Sequence, residues 1–230
     1  MIPVLEISGI DKSYHSLRPL RIQTLTLEPG ERVAISGIDA AAAEVLVNLV
    51  TGASLPDHGV VRVLGRPTAE IVDGDAWLAS LDRFGIVSPR GVLLDSATIA
   101  QNVAMVFTLD IDPVAPDVGA RVAALARECG IDDLSAIMGA AQAAVRTRVH
   151  LARAVALEPA LLILEHPTAG IADGEREALA RDIATVADRR HLTTLIVTED
   201  DRFAALVAGR ALRLEPATGA LKPVRRGWFG

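Results

Sequence analysis

The chain has 230 residues, of which half are hydrophobic and 3 % aromatic, and its formal net charge is −6. This length suits one large α/β domain, or a domain with a subdomain, with a core of Ala, Val, Leu and Ile. The acidic balance argues against a nucleic-acid surface, which needs a basic face. Cys129 is the single cysteine, so a disulfide framework is excluded and a buried small hydrophobe is expected.

The sequence predicts neither a signal peptide nor a membrane-spanning segment. The N-terminal residues lack a basic stretch followed by a long apolar run, so no signal peptide is predicted. No stretch approaches the ~18 apolar residues of a membrane span. Any membrane contact is therefore expected to be made through a partner.

The first third of the chain predicts strands and one helix. Segments 4–10 and 22–37 alternate apolar and polar residues, with a turn at Pro29–Gly30 between two strands. A helix is predicted over residues 40–50, where the apolar residues fall on one face. Segment 59–65 predicts another short strand.

The middle of the chain predicts helices. Ser96 is a candidate N-cap for a helix over 96–107. Apolar residues at helical spacing continue over 117–130, and Gly130 suits the end of that helix. A further helix is predicted over 140–157, which is rich in Ala and Arg.

The last third alternates between strand and helix. The apolar runs 160–165 and 193–199 are typical of buried parallel strands. Between them, 173–190 predicts an amphipathic helix with Asp173 as its cap. Segment 210–224 predicts a closing hairpin. Together these patterns predict an α/β fold with a mostly parallel core sheet, an antiparallel β-edge and an inserted helical subdomain.

The order of these segments, with several short motifs, resembles the ATP-binding cassette of ABC transporters. The run "VHLARAVALEPALLILEHPTAGIADGE" is the best anchor, with Arg153, Glu158–Pro159 and Pro167–Thr168 at matching positions. "LEPGERVAISG" and "TLIVTED" are further anchors. The resemblance covers residues 4–224 and implies the P-loop NTPase-like fold of these cassettes.

The resemblance also implies how the chain is organised. Residues 1–230 are expected to form a single cassette. Within it, 1–88 and 158–230 are expected to form a RecA-like core with the β-edge, and about 89–157 the helical subdomain.

The phosphate-binding loop of the family, G-x-x-G-x-G-K-[ST], is altered here. Its glycines cradle phosphates, its lysine reaches the β- and γ-phosphates, and its hydroxyl binds Mg²⁺. The resemblance implies a vestigial pocket. In it, alanines replace two of the glycines and the lysine, a glutamate replaces the hydroxyl residue, and the adenine-stacking tyrosine is retained. This pocket comprises Tyr14, Gly37, Asp39, Ala40, Ala42, Ala43 and Glu44.

The other ATP-handling positions also depart from the family pattern. The Walker B pair is Glu165–His166, the Q-loop glutamine is Pro89, and the switch histidine is Glu199. Ala172 stands at the D-loop aspartate. The LSGGQ signature lacks its serine and glycines and reads Ala141, Gln142, Ala143, Ala144 and Val145. No catalytic residue and no metal site are therefore expected.

Two local hypotheses follow from the altered residues. Asp39 precedes a run of high helix propensity, so its carboxylate is expected to cap a helix that starts near Ala40. Glu44, in the next turn, is expected to be tolerated at that positive end. His166 and Glu199 are expected to form a hydrogen-bonded structural pair in the emptied site, although two unrelated solvated residues are an open alternative.

The sequence favours a non-hydrolysing ABC-type subunit that holds together or regulates a membrane transport complex. The implied partners are a membrane permease subunit, docked near residues 89–107, and a second cassette in a homo- or heterodimer, with no nucleic acid. No cofactor is expected, and the location is cytoplasmic, on the inner face of the membrane. Two alternatives stay open: an atypical ATPase that binds ATP and Mg²⁺ and energises transport, and a soluble scaffold unrelated to transport.

Overall fold

The computed structural model describes residues 2–71 and 73–224, which form two sheets and seven α-helices within that part of the chain. The strands are β1 (Leu5–Lys12), β2 (Leu20–Leu27), β3 (Arg32–Ser36), β4 (His58–Val63), β5 (Arg66–Pro67), β6 (Phe84–Val87), β7 (Leu161–Glu165), β8 (Thr194–Thr198), β9 (Arg210–Glu215) and β10 (Ala220–Pro223). The helices are α1 (Ala40–Val50), α2 (Gly74–Leu81), α3 (Ile99–Ala104), α4 (Pro116–Glu128), α5 (Ala143–Val155), α6 (Asp173–Arg189) and α7 (Asp201–Val207).

The larger sheet has six strands in the order β10-β9-β3-β8-β7-β6. Its strands pair in parallel, except that β10 returns antiparallel on β9. The smaller sheet is antiparallel, in the order β2-β1-β4-β5. The predicted fold class, a mostly parallel core with an antiparallel β-edge and helices, is confirmed.

Two apolar clusters cover the two faces of the parallel sheet. Leu162 and Leu164 of β7 point into one cluster, which includes residues of α3 to α7. Leu161 and Ile163 point into the other, which includes α1 and the antiparallel sheet. All five residues of β7 are buried, and this two-sided burial explains the continuous apolar run in the sequence.

Several helix ends differ from the sequence predictions. Ser96 is not an N-cap: Thr98 caps α3 instead, because its hydroxyl and the Gln101 side chain form a reciprocal capping box. Asp173 does not cap α6 either; Ala172 holds the N-cap position, and Asp173 is the first helical residue. The helix predicted over 140–157 is shorter, Ala143–Val155.

Other predicted boundaries agree with the structure. α1 covers residues 40–50 as predicted. Gly130 follows α4 with φ +70°, the left-handed conformation that suits glycine after a helix. The closing hairpin is β9–β10. Cys129 is buried, and burial raises the pKa of its thiol to about 12.

The chain between β6 and β7 contains α3, α4 and α5. The predicted division into a core of residues 1–88 and 158–230 and a helical subdomain of about residues 89–157 stays a prediction. Among residues 2–71 and 73–224, no helix is both long and apolar enough to cross a bilayer.

We predict that Gly85→Ala separates β6 from α5. A Cβ at Gly85 would lie 2.4 Å from the backbone oxygen of Ala154, which cannot move without disturbing α5. The free energy of unfolding should fall by about 1–3 kcal/mol, measured by urea denaturation.

Gly119→Ala is the matched control, because a Cβ at Gly119 in α4 has no neighbour within 4 Å. It should leave stability unchanged or raise it by up to about 1 kcal/mol. Equal effects of the two substitutions would contradict the packing argument.

Candidate functional site

An open cleft lies at the carboxyl edge of the parallel sheet. Strands β3, β6, β7 and β8 are parallel, so the residues that follow them meet at one edge, where ligands bind in open α/β sheets. The cleft has a volume of about 600 Å³. The predicted site residues that line it are Ala40, Glu44, Pro89, Glu165, His166 and Glu199.

The first turn of α1 is regular helix with a capped end. Asp39 is extended (φ −71°, ψ 171°), and its Oδ1 accepts a hydrogen bond from the Ala42 amide at 2.8 Å. The Ala43 amide donates to the Asp39 carbonyl, also at 2.8 Å, and the Ala43 side chain is buried. The predicted helix start near Ala40 and the Asp39 cap are confirmed.

Gly37, just before this turn, is required by the backbone. Its φ is +76°, and a Cβ there would lie 3.3 Å from the carbonyl oxygen of Leu214. Any other residue would be strained in this conformation. The retained glycine therefore has a structural reason that is independent of any ligand.

Arg90 forms the main ionic contact of the cleft. Its Nη1 lies 2.8 Å from Glu44 Oε1, and its Nη2 lies 2.7 Å from Glu165 Oε2. Glu165 is buried, whereas Glu44 and Arg90 are about half exposed. The hydrogen bond to Glu165, with the charges of Glu165 and Glu44, raises the pKa of Arg90 above its ordinary value.

The role of Arg90 has no counterpart in the sequence prediction. The three residues are separated by 46 and 75 positions, and no spacing rule links them. The sequence contains one indirect signal for Arg90. The resemblance places Glu44 and Glu165 in one site, and two carboxylates that lie close together need a counter-cation. Arg90 directly follows Pro89, which the resemblance places in the same site. Glu44, expected only to be tolerated at the helix start, is one arm of this ion bridge.

His166 and Glu199 line the same cleft, but the structure has no hydrogen bond between them. Nε2 of His166 is buried without a hydrogen-bond partner, and Glu199 is exposed. His166 adopts φ +42°, uncommon for a residue with a side chain, while its amide donates to Val197 O. The predicted direct bond is therefore wrong: His166 takes a left-handed backbone conformation at the end of β7, and its buried Nε2 has no partner. A link through one water stays a prediction.

The remaining pocket residues lie apart from this cleft. Tyr14, Gly37, Asp39 and Ala42 line a second, smaller pocket of about 280 Å³. The Tyr14 side chain is half-buried and packs against the core under the antiparallel sheet. The residues predicted to form one pocket thus lie in two, and Ala43 lies in the core and lines neither.

The signature positions lie at the start of α5. Gln142 is the N-cap residue without a side-chain cap bond, Ala143 begins the helix, and Ala144 is buried. None of residues 141–145 lines the cleft of this chain. Ala172 is exposed at the start of α6.

A separate groove of about 320 Å³ lies between β6, α5 and the segment after β6. Val92 is 76 % exposed there, and Ile86 and Leu157 are also exposed apolar residues of its lining. Burial, together with the charges of Arg153 and Arg146, lowers the pKa of His150 in this groove to about 4. The groove thus combines exposed apolar residues with the charged Asp82 and Arg153 and a histidine that is neutral at physiological pH, and it falls partly in the predicted docking region 89–107.

Residues 2–71 and 73–224 contain no group of three or more His, Cys, Asp or Glu side chains arranged to hold a metal ion. In the cleft, the three carboxylates of Glu44, Glu165 and Glu199 are accompanied by the guanidinium groups of Arg90 and Arg176, and Arg176 pairs with Asp173 and Asp200.

The domain is thus an open α/β sheet, mostly parallel, with a cleft at its carboxyl edge. The sequence model of the ABC transporter family matches residues 20–169. A relative with 30% identity, the thiamine import ATP-binding protein ThiQ of Escherichia coli K12, aligns over 91% of this chain and 87% of its own length. The chain belongs to the ABC transporter family.

Another relative agrees with this assignment, and solved structures share the fold. The Fe(3+) ions import ATP-binding protein FbpC 3 of Rhodococcus jostii is 33% identical over 91% of this chain, which spans 59% of that relative's length. The structure of cbiO1 from Clostridium perfringens has a TM-score of 0.78 at 20% identity, covering 96% of this chain and 87% of that one. The dimeric bacterial ABC transporter cassette MJ0796 has a TM-score of 0.76 at 18% identity, covering 97% and 100%.

We predict that Asp39→Ala destabilises α1. The substitution leaves the Ala42 amide without its acceptor, so the free energy of unfolding should fall by about 1 kcal/mol in chemical denaturation. Asp39→Asn keeps a side-chain oxygen and should lie within a few tenths of a kcal/mol of the wild type. Equal losses in the two variants would show that charge, not capping, is what matters.

Proposed function

We propose that this protein is a non-hydrolysing ATP-binding-type subunit of an ABC import complex. The import role is carried over from relatives named as import ATP-binding proteins. In this role the fold contributes structure or regulation, while ATP turnover falls to another subunit. The permease and a second cassette, in a homo- or heterodimer, are the proposed partners, with the protein on the cytoplasmic side of the membrane.

The observation that carries the proposal is the closed first turn of α1. A phosphate at a helix N-terminus is held by free backbone amides and by the positive end of the helix dipole. Here the Ala42 amide is already bonded to the Asp39 carboxylate, which places a negative charge where a phosphate would bind. Ala43 also supplies no ammonium group at the position of the family's lysine.

The residues of the cleft also fit a magnesium-bound triphosphate poorly. Glu44 replaces a neutral hydroxyl with a carboxylate, and Arg90 already pairs with both Glu44 and Glu165. A nucleotide would have to displace this guanidinium and then face three carboxylates, those of Glu44, Glu165 and Glu199. Pro89 offers no side-chain oxygen for a metal or water. These features support a site without a nucleotide.

We predict that the wild-type protein neither binds nor hydrolyses Mg-ATP. Calorimetric titration should give no saturable heat up to about 1 mM nucleotide, the upper end of ordinary substrate constants. Phosphate release should match a protein-free blank, and Mg-ATP should not raise the melting temperature. The E. coli protein ThiQ serves as the positive control for the assays. Saturable binding with turnover would establish the atypical-ATPase alternative instead.

The groove beside α5 is the proposed docking surface for the permease. Its exposed Ile86, Val92 and Leu157 provide apolar contacts for a short amphipathic segment of the partner. The charged residues Asp82 and Arg153 belong to the same lining. This surface does not depend on any residue of the cleft binding a ligand.

We predict that Val92→Asp releases the protein from its membrane complex. A buried, unpaired carboxylate in the interface should reduce co-purification with an integral membrane subunit by about tenfold or more. Leu109→Asp is the matched control, since Leu109 is 87 % exposed and does not line the groove. Wild-type protein that co-purifies with no membrane subunit would favour the scaffold alternative.

A further inference from the structure

Arg90 links its own segment to two neighbouring elements of the cleft. Glu44 belongs to α1, and Glu165 is the last residue of β7. Arg90 lies on the segment that follows β6, and its two terminal nitrogens each contact one of these carboxylates. The guanidinium thus fixes this segment to two neighbouring elements at once.

One arm of the bridge is buried, so its loss is costly. Glu165 is 2 % exposed, and of the described residues Arg90 alone hydrogen-bonds its carboxylate. Removing the partner of a buried charge leaves it uncompensated, which is far more damaging than breaking a surface pair. The other arm, to Glu44, is solvent-exposed and contributes less.

The segment of residues 88–95 is anchored at its other end to the helices. The Arg153 guanidinium donates to Val92 O at 2.8 Å. The amide side chain of Asn102 accepts from the Leu94 N–H at 2.8 Å and donates to Leu94 O at 3.0 Å. The same segment therefore runs from the cleft to the wall of the groove.

The wall of the groove tolerates little movement of this segment. A Cβ at Gly91 would lie 2.6 Å from Cε1 of His150, so the backbone and the imidazole are already in close contact. Gly91 and Val92 both line the groove, directly after Arg90. The residue that bridges the two carboxylates is thus the immediate chain neighbour of the groove wall.

We propose that Arg90 is an intramolecular clasp: by bridging Glu44 and Glu165 it holds residues 88–95 in one conformation and so presets the groove without any ligand in the cleft. The guanidinium supplies the positive charge that the two carboxylates need. The consequence for permease docking rests on the proposed function, whereas the effect on the segment does not.

Hydrogen exchange in the free protein tests the clasp. In Arg90→Ala, the amides of Gly91 and Leu94 should exchange about tenfold faster or more, because the segment opens as a unit. The melting temperature should fall by roughly 5 °C or more, since Glu165 loses its partner. Arg90→Lys should give an intermediate effect, because one ammonium cannot contact both carboxylates with the geometry of a guanidinium.

Arg210→Ala is the matched control. Arg210 pairs with Glu31 at 2.7 Å, far from the cleft in the fold, so its loss should leave Gly91 and Leu94 exchange unchanged. If Arg90→Ala lowers the melting temperature but leaves those two amides as protected as in the wild type, Arg90 only balances a buried charge and the clasp is refuted.

Two further measurements keep the test decisive. If Arg90→Ala does not fold, Arg90→Ala with Glu165→Gln removes the unpaired charge while still breaking the bridge, and the same exchange result is expected. Repeating the hydrogen-exchange measurement on the wild type with Mg-ATP tests the proposed function separately from the clasp. Protection by nucleotide would overturn the proposed function, whereas unchanged exchange in Arg90→Ala would overturn the clasp.

Discussion

Burial of the parallel strands on both faces is the constraint that organises this molecule. Because β7 and β8 are buried along their whole length, apolar side chains fill both layers, and polar groups collect where the strands end. The chain therefore concentrates Glu165, His166 and Glu199 at one edge of the sheet. The cleft is a consequence of the topology, and it exists whether or not a ligand fills it.

The acidic side chains of this cleft need positive charges near them. In a nucleotide-binding protein, metal and phosphate supply part of the charge balance from outside. In this chain the acidic side chains outnumber the basic ones at the cleft, and Arg90 lies between two of them. The N-terminus of α1 is likewise satisfied internally, since Asp39 supplies the anion for the Ala42 amide. The carboxylates of the cleft and the N-terminus of α1 are thus both paired with groups from the same chain.

The segment after β6 lies between the cleft and the groove. Its Arg90 lines the cleft, and its Gly91 and Val92 line the groove. In a cassette that cycles with nucleotide, such a segment would be expected to change with occupancy. An internal ion bridge would instead keep it in one state, which suits a subunit whose contribution is structural.

Local sequence signals predicted the parts of the site that depend on neighbouring residues. The α1 boundaries and the Asp39 cap followed from helix propensity and capping chemistry over a few positions. The ends of α3 and α6 did not, because Thr98 with Gln101 was a better cap than Ser96, and because Ala172 rather than Asp173 took the cap position. The expected bond between His166 and Glu199 failed because neighbouring strand ends do not fix side-chain directions.

The fold class and the two buried strands β7 and β8 could be predicted from the sequence, as could the residues at the motif positions, because periodicity and residue identity are local properties. Which charges meet depends on the tertiary structure. Arg90 reaches Glu44 and Glu165 across 46 and 75 positions of chain, through three elements whose spacing depends on the packing of both cores. Ion pairs form where folded elements place their side chains within a few ångströms, and that distance is not written in any local pattern.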